Sequence, residues 1–417
     1  MDFKDKIIHA FSCIDDVSLP TGEESYSYGK KWINWGEDNL YPNYLQSLIN
    51  VSTLHSSIMK QKAMLIGGCG FDKTNMSPAG LYFLKNIYNE DELDDILCKV
   101  SFDLELYGGF CLNIVWNEDR TKIAEINYLN PSIVRIQPTD KGFKYLVCDN
   151  WYSPYKNQPV MYDEFSTEKK QKANQILWVK EHREGCGLYP APEYKPGIKW
   201  FEIDNMISDF HYTNLKSSFF PNVHINFPIG TPSAEEADQL VSDIKRQYAG
   251  AKGGKTIVTF SDTKETALTF DKIESTSTDE MFIMLNEMVE KSILKSHRVV
   301  NPSLFGIETP GSLGSRNEML ESLEIFQTSY VDSKQRLIER VFNRLRKING
   351  VEDKIIINRY SPQFSKINTN ISDILSILTA DIEPKQKYQL LIDNSYSPES
   401  AINLTGYDPS INTQPTV

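Results

Sequence analysis

The sequence predicts an α+β chain organised around long helices. Three observations predict it. Helical periodicity runs on both sides of a short Gly/Ser/Pro loop between Thr278 and Lys347. Four short alternating runs, bounded by turn residues, lie between Phe110 and Val147. A small helix-plus-strand stretch, Ser217 to Ile273, separates two further helical segments.

Residues 1–40 are polar and turn-rich, with Pro20-Thr21-Gly22 and Gly29, and read as an irregular arm. Tyr41-Pro42 opens a helix expected from Asn43 to Ile66, closed by Gly67-Gly68. Asn89 to Tyr107 reads as a second helix, with Leu93, Ile96, Leu97, Val100 and Leu104 on one face and Gly108-Gly109 as its stop. Strands are expected at Phe110–Trp116, Ile123–Leu129, Ile133–Gln137, Phe143–Val147 and Ile176–Val179. The turns between the first four carry Asn117-Glu118-Asp119, Asn130-Pro131 and Asp140-Lys141-Gly142.

Pro192 to Pro196 leads into a helix from Ile198 to Leu215, about 27 Å long at 1.5 Å per residue. His224 to Phe227 reads as a strand. Ser233-Ala234-Glu235-Glu236 has the spacing of a capping box and opens a short helix, after which Thr256–Phe260 and Ala267–Phe270 read as strands. A further capping box, Ser277-Thr278-Asp279-Glu280, starts a helix with Met281, Met284, Leu285, Met288, Val289 and Ile293 as its apolar positions. The loop Gly306 to Gly314 follows. Ser315-Arg316-Asn317-Glu318 then caps a long helix whose apolar stripe is Met319, Leu320, Leu323, Phe326, Tyr330, Leu337, Val341 and Leu345. Beyond Gly350 come a strand at Lys354–Asn358 and short helices at Ile371–Thr379, Pro384–Asp393 and Pro398–Leu404.

The bulk numbers exclude several function classes. The 417 residues suffice for two or more domains, and 40% hydrophobic with 24% charged residues is ordinary globular composition. No run is long enough to span a bilayer, and Met1 to Lys6 lacks the apolar core of a signal peptide. The six cysteines are scattered with no Cys-x-x-Cys, which points to free buried thiols in a reducing compartment. A net charge of −12 argues against a protein that grips nucleic acid tightly, since each phosphate neutralised by Lys or Arg adds affinity. It is compatible with a passage through which a duplex slides.

Candidate chemistry is sparse. Ala249 to Thr256 fits a loose phosphate-loop pattern with Lys255 and Thr256 in the functional places, and a nucleotide-binding enzyme is the alternative reading of the chain. A true phosphate loop follows a strand and opens a helix, whereas here a helix precedes and a strand follows. The six histidines show no pair at metal-ligand spacing, and Asp91-Glu92, Asp94-Asp95 and Glu235-Glu236 fall at helix starts, where they favour the helix dipole. No catalytic residue, metal or cofactor is expected. Met281, Met284 and Met288 suit either a core or a contact between identical subunits. Lys334, Arg336, Arg340, Arg344, Arg346 and Lys347 give the long helix a basic end, either a solvated face or a contact for DNA or acidic neighbours.

Asn301-Pro302-Ser303-Leu304-Phe305-Gly306, the Gly/Ser loop and the long helix after it resemble the portal proteins of tailed bacteriophages. Leu106-Tyr107-Gly108-Gly109, the run Tyr128 to Arg135, and Ile176 to Val179 leading to Gly187-Leu188-Tyr189-Pro190-Ala191-Pro192 are similar to that family's wing and its approach to the stem. The resemblance covers roughly residues 40–347. It implies an arm (1–40), a wing (41–192), a first stem helix (193–216), a clip (217–273), a second stem helix (274–300), a tunnel loop (301–317), a wing helix and strand (318–358) and a C-terminal crown or tail (359–417). It further implies a non-enzymatic homo-oligomeric ring of twelve copies at one capsid vertex of the virion, assembled in the host cytoplasm without a membrane. Double-stranded DNA would pass through it in packaging and ejection. The tunnel loop Thr309, Pro310, Gly311, Ser312, Leu313, Gly314, Ser315, Arg316 and Asn317 would line the channel, with Arg316 as the best phosphate contact. Asn222, His224, Asn226, Lys245, Lys252 and Lys255 of the clip would dock the large terminase and later the head-tail connector or adaptor, and the major capsid protein would surround the ring. The first 40 residues and the short C-terminal region depart from the family's pattern.

Overall fold

The computed structural model describes residues 19–26, 29, 31–86, 90–140, 142–168, 172–217, 223–227, 233, 236, 238–239, 242, 256–260, 278–299, 301–307, 316–360, 383–393 and 398–407. The chain forms two units, Met1–Arg359 and Tyr360–Val417.

In the first unit, β1 (Glu24–Ser25) pairs antiparallel with β2 (Asn34–Trp35). Helices α1 (Tyr41–Val51), α2 (Thr53–Gly67), α3 (Pro78–Lys85) and α4 (Leu93–Tyr107) follow. A six-stranded sheet comes next: β3 (Gly109–Trp116), β4 (Ile123–Leu129), β5 (Val134–Thr139), β6 (Gly142–Val147), β7 (Val160–Glu164) and β8 (Asn174–Lys180), with the one-turn helix α5 (Pro154–Asn157) before β7. The strand order is β4-β3-β8-β7-β6-β5. All neighbours are antiparallel except β7 and β8, which meet in parallel over only Asp163↔Gln175 and Glu164↔Ile176.

The core lies where α2 and α4 pack on one another and α4 packs on β3 and β4. Leu93, Ile96, Leu97, Val100 and Leu104 are all buried, the face that helical spacing predicts. Phe110, Leu112 and Ile114 lie buried in β3, a central strand covered on both sides. At both ends of α4 the backbone explains the boundary. Glu92 and Asp95 form a reciprocal capping box, and Gly108, at φ +79°, makes the left-handed stop. A Cβ on Gly108 would collide with the Ala191 carbonyl, so only glycine fits this turn.

Several expectations need correction. The helix expected over Asn43–Ile66 is two helices broken at Ser52, whose backbone is extended. The buried Ser52 Oγ accepts from the His55 N–H and donates to Asp204 Oδ2 at 2.6 Å, so the break carries its own cap. The irregular arm is only partly that. Trp32, Ile33 and Trp35 are buried, and Ile33 bridges Ile136 of β5. Trp35 stacks on Tyr189 with centroids 4.7 Å apart. Arg135 is buried beside this aromatic group, its Nε donating to Asn39 Oδ1 at 2.6 Å and its guanidinium 4.8 Å from the Trp151 ring. Burial lowers its pKa to about 10, with nearby Tyr189 and Tyr107 opposing, and it stays charged. The thiols are free among the described residues, but Cys69 and Cys98 are exposed rather than buried. Lys354–Asn358 is not a full strand; Ile357 makes one isolated bridge to Phe71. Val160–Glu164 is a strand and Pro78–Lys85 a helix that the sequence pattern does not mark.

The second unit contains α10 (Pro384–Asp393) and α11 (Pro398–Thr405), which pack through fully buried Leu391 and Ala401, with Tyr388 and Tyr407 in ring contact at 5.7 Å. Ile371–Thr379 and Ser397 lie outside the described residues.

Candidate functional site

Two long helices leave the core as a pair. They are α6 (Ile198–Ser217) and α7 (Thr278–Ser296), of 20 and 19 residues, each about 30 Å long. Gly197 abuts Ser296, and Phe210 stacks on Phe282 at 5.1 Å, so the pair is antiparallel. Near the core their inner residues are buried: Phe201, Val289 and Ile293. Further out the apolar side chains face solvent. Leu215 is 72% exposed, Met284 67% and Met206 60%, with Phe210, Ile283 and Met288 also exposed. Met284 and Met288, for which the sequence allowed core or contact, are therefore not core in a single chain.

The root of this pair is buried polar chemistry. His55 Nδ1 of α2 and His297 Nε2, just past α7, are 2.9 Å apart, and one must donate to the other. His55 stacks on Phe201 of α6 at 4.1 Å. Burial first, and the Lys62 charge second, pull the His55 pKa down to about 3; the same two causes and His55 itself hold His297 well below the usual imidazole range. Both rings are neutral. Two turns further along α2, Lys62 Nζ meets Glu105 Oε2 of α4 at 2.6 Å. Tyr330 donates to Glu105 Oε1 at 2.8 Å, and Lys334 contacts Glu181 and lies 3.6 Å from Glu193. Burial alone would push the Glu105 carboxyl up, but Lys62 and Lys334 outweigh it and keep it below the usual carboxylate range. The three glutamates outweigh burial at Lys334 and raise it. A buried pair of this kind is costly to break from one side.

The helix after the loop enters this hub through an irregularity. It is α8 (Arg316–Phe326), then a π turn (Gln327–Val331), then α9 (Asp332–Ile348). The turn adds one residue to the helical repeat, so the buried stripe shifts by one. Phe326, Tyr330 and Leu345 are buried as expected, but Ile338 and Phe342 replace Leu337 and Val341. Thr328 and Ser329 hydroxyls donate to the Glu324 and Ile325 carbonyls, the back-bonding that loosens a helix.

The predicted basic end also divides. Lys334 belongs to the buried hub, and Arg346 is buried, donating to the Val351 carbonyl and to Asn343 Oδ1. Arg344 lies over Phe165 at 5.4 Å. Arg336, Arg340 and Lys347 remain exposed.

Of the proposed tunnel loop, Thr309 to Ser315 lie outside the described residues. Arg316 and Asn317 open α8, and their side chains lie outside the description. In the clip, Asn222, Lys245, Lys252 and Lys255 lie outside it too. His224 and Asn226 fall on β9 (Val223–Phe227), which pairs in parallel with β10 (Thr256–Phe260). Ser233 and Glu236 make the predicted reciprocal cap between these strands. Thr256 is the first residue of β10, so the Gly-rich stretch leads into a strand, opposite to a phosphate loop. Ala267–Phe270 lies outside the described residues. Among the described residues no group of His, Cys, Asp or Glu could hold a metal, and no helix is long and apolar enough to cross a membrane.

No protein-family model matches the sequence, and no curated protein matches it. Solved structures do. A chain of the virion of the native gene transfer agent (GTA) particle is similar at TM-score 0.51 and 13% identity, over 84% of this chain and 92% of that one. A chain from the neck of the empty GTA particle, computed with C6 symmetry, is similar at TM-score 0.51 and 13% identity, over 84% and 94%. The chain shares the fold of these two GTA particle chains. A portal protein of the HK97 phage family from Corynebacterium diphtheriae overlaps less well, at TM-score 0.46 and 9% identity over 75% of this chain and 95% of that one. The α+β class expected from the sequence is the one found. A likeness at this level of identity shows the shared fold alone and leaves its use to be argued from the residues.

Proposed function

We propose that the chain is the portal subunit of a tailed-phage-type particle. Copies close into a ring at one capsid vertex through contacts between unlike faces of neighbours. The ring has twelve members and passes double-stranded DNA inward in packaging and outward in ejection. The observation that carries this reading is the outer half of α6 and α7, where Met206, Phe210, Leu215, Ile283, Met284 and Met288 stand in solvent in a single chain. Apolar side chains grouped this way mark a surface meant for a partner. In a ring the partner is the same pair of helices on the next copy. The sixfold symmetry with which the GTA neck was computed supports a cyclic assembly of this kind.

In this reading residues 309–317 surround the duplex, with Arg316 meeting phosphates without sequence preference. The 217–273 unit, with Asn222, His224, Asn226, Lys245, Lys252 and Lys255, docks the large terminase and then the head-tail connector. The major capsid protein surrounds the ring. The subunit itself catalyses nothing; the terminase hydrolyses ATP. Its place is the virion, after assembly in the host cytoplasm.

Mass photometry with negative-stain imaging tests the ring. Twelve copies of a 47.8 kDa chain give a particle of about 570 kDa with a central hole. Met284→Glu with Met288→Glu is expected to leave helical circular dichroism intact and abolish the ring. A chain that stays near its monomer mass, alone and with capsid protein present, refutes the reading.

A further inference from the structure

Arg336, Glu339, Arg340, Arg346 and Lys347 of α9 gather on one open groove. Its volume is about 470 Å³, and Arg336, Arg340, Lys347 and Lys354 line it. All four are exposed. None makes an ion pair or side-chain hydrogen bond recorded among the described residues, whereas the groove's other groups are already engaged. Glu339 Oε1 accepts from the Ile357 N–H at 2.8 Å, Asn343 donates to the Ile355 carbonyl at 2.7 Å, and Arg346 is held by Val351. Four unpartnered cations thus stand around a single carboxylate, in a chain whose net charge is −12.

The helix dipole does not account for them. Its favourable effect on cations is confined to the last turn. Lys347 qualifies, but Arg336 and Arg340 lie eight or more residues before Ile348, and Lys354 is outside the helix. We propose that this groove is a binding site for the phosphate backbone of a nucleic-acid duplex. The lining chemistry selects that occupant. Among the described residues, no apolar or aromatic side chain lines the groove. A protein partner would need an apolar or aromatic anchor at the centre of its contact, and Lys is depleted in such centres. A single strand would need aromatic rings on which bases stack. A duplex backbone needs neither. It needs donors that neutralise phosphates at intervals, and guanidinium groups at Arg336 and Arg340, one helical turn apart, suit it. The site reads no sequence, because nothing in it reaches a base edge.

This inference does not depend on the ring. The groove is on α9 and is distinct from the proposed tunnel loop and from the clip lysines. The test is fluorescence anisotropy of the full chain with a labelled 24-base-pair DNA duplex, over 50 to 200 mM salt. Four phosphate contacts predict a slope of log K against log salt of about −3.6, a loss of roughly 100-fold across that range. R336Q/R340Q/K347Q/K354Q is expected to weaken duplex binding at least tenfold at 50 mM salt and to flatten the slope. K354Q alone is expected to reduce the slope by about 0.9. R344Q, which removes an exposed charge outside the groove, is expected to change neither. Duplex binding that the quadruple variant retains in full, with the same slope, overturns the proposal and assigns binding to the loop or the clip. Wild-type chain that fails to bind duplex at 50 mM salt, or binds poly-glutamate or a single strand of equal length more tightly, overturns it too. Circular-dichroism melts of each variant confirm folding, and the single variants serve if the quadruple one does not fold.

Discussion

The buried imidazole pair sets a measurable pH dependence. His55 and His297 are 1% exposed or less and face Lys62, Tyr194 and Phe201. The His55 pKa is about 3 when folded and returns to about 6.5 when the chain unfolds. Between those values the unfolded chain holds a proton that the folded chain does not. Stability is therefore full above about pH 6.5 and is lost as pH falls below it. At pH 5.5 the unfolded imidazole is one unit below its pKa, so His55 alone costs about 1.4 kcal/mol relative to pH 8. His297 is depressed for the same reasons and adds to the loss in the same direction. The assay is urea unfolding of wild type and of H55Q/H297Q, each at pH 8 and pH 5.5. The variant is expected to be less stable at both, since the ring stack on Phe201 is gone, but to lose at least 1 kcal/mol less than wild type on acidification. His9, His182, His211 and His224 are common to both proteins and cancel. An equal acid loss in wild type and variant refutes the argument, because it places the proton uptake elsewhere.

The remaining predictions concern the hub, one turn, the loop and the rival reading. Lys62→Met leaves Glu105 with half its cationic support and is expected to cost about 3–5 kcal/mol in urea unfolding, while Lys62→Met with Glu105→Leu recovers much of it. Gly68→Ala puts a Cβ into the Asn358 carbonyl at φ +59° and is expected to lower stability by roughly 1–3 kcal/mol, read as a fall in melting temperature. Deleting Thr309 to Gly314 is expected to leave ring mass unchanged and impair DNA packaging or retention; a chain that unfolds instead makes the loop structural. Calorimetric titration with ATP is expected to give no saturable heat, and heat that Lys255→Ala abolishes would establish the nucleotide-binding reading.

Much of the scaffold was legible because local signals and tertiary packing agree there. α4 announced itself by its acidic start, its apolar face and its glycine stop. β4 and β10 fall on the residues that alternation marked. What was not legible depended on partners far along the chain. Ser52 breaks α1 from α2 because a hydroxyl and Asp204 compensate for the break, and Asp204 is 152 residues away. Trp32 and Trp35 sit in a stretch too short and polar for periodicity to register, yet their rings fill the space beside Tyr189 and Trp151. Lys334 read as one of a run of solvated cations; only the fold brings Glu105 and Glu181 to it. His55 and His297 are 242 residues apart and matched no spacing rule. The basic cluster from Lys334 to Lys347 is divided by burial into a structural part and an open part.

The π turn at Gln327–Val331 bears on how this chain can be compared with others. One extra residue rotates everything downstream by about 100° relative to an uninterrupted helix. A residue-by-residue alignment to a relative whose helix runs straight must open a gap inside those five residues. Without the gap, Leu337 and Val341 are matched to buried positions and Ile338 and Phe342 to surface ones, and the hub lysine is set against a solvent-facing site. The mismatch would extend to Ile348, through the most strongly amphipathic of the described helices.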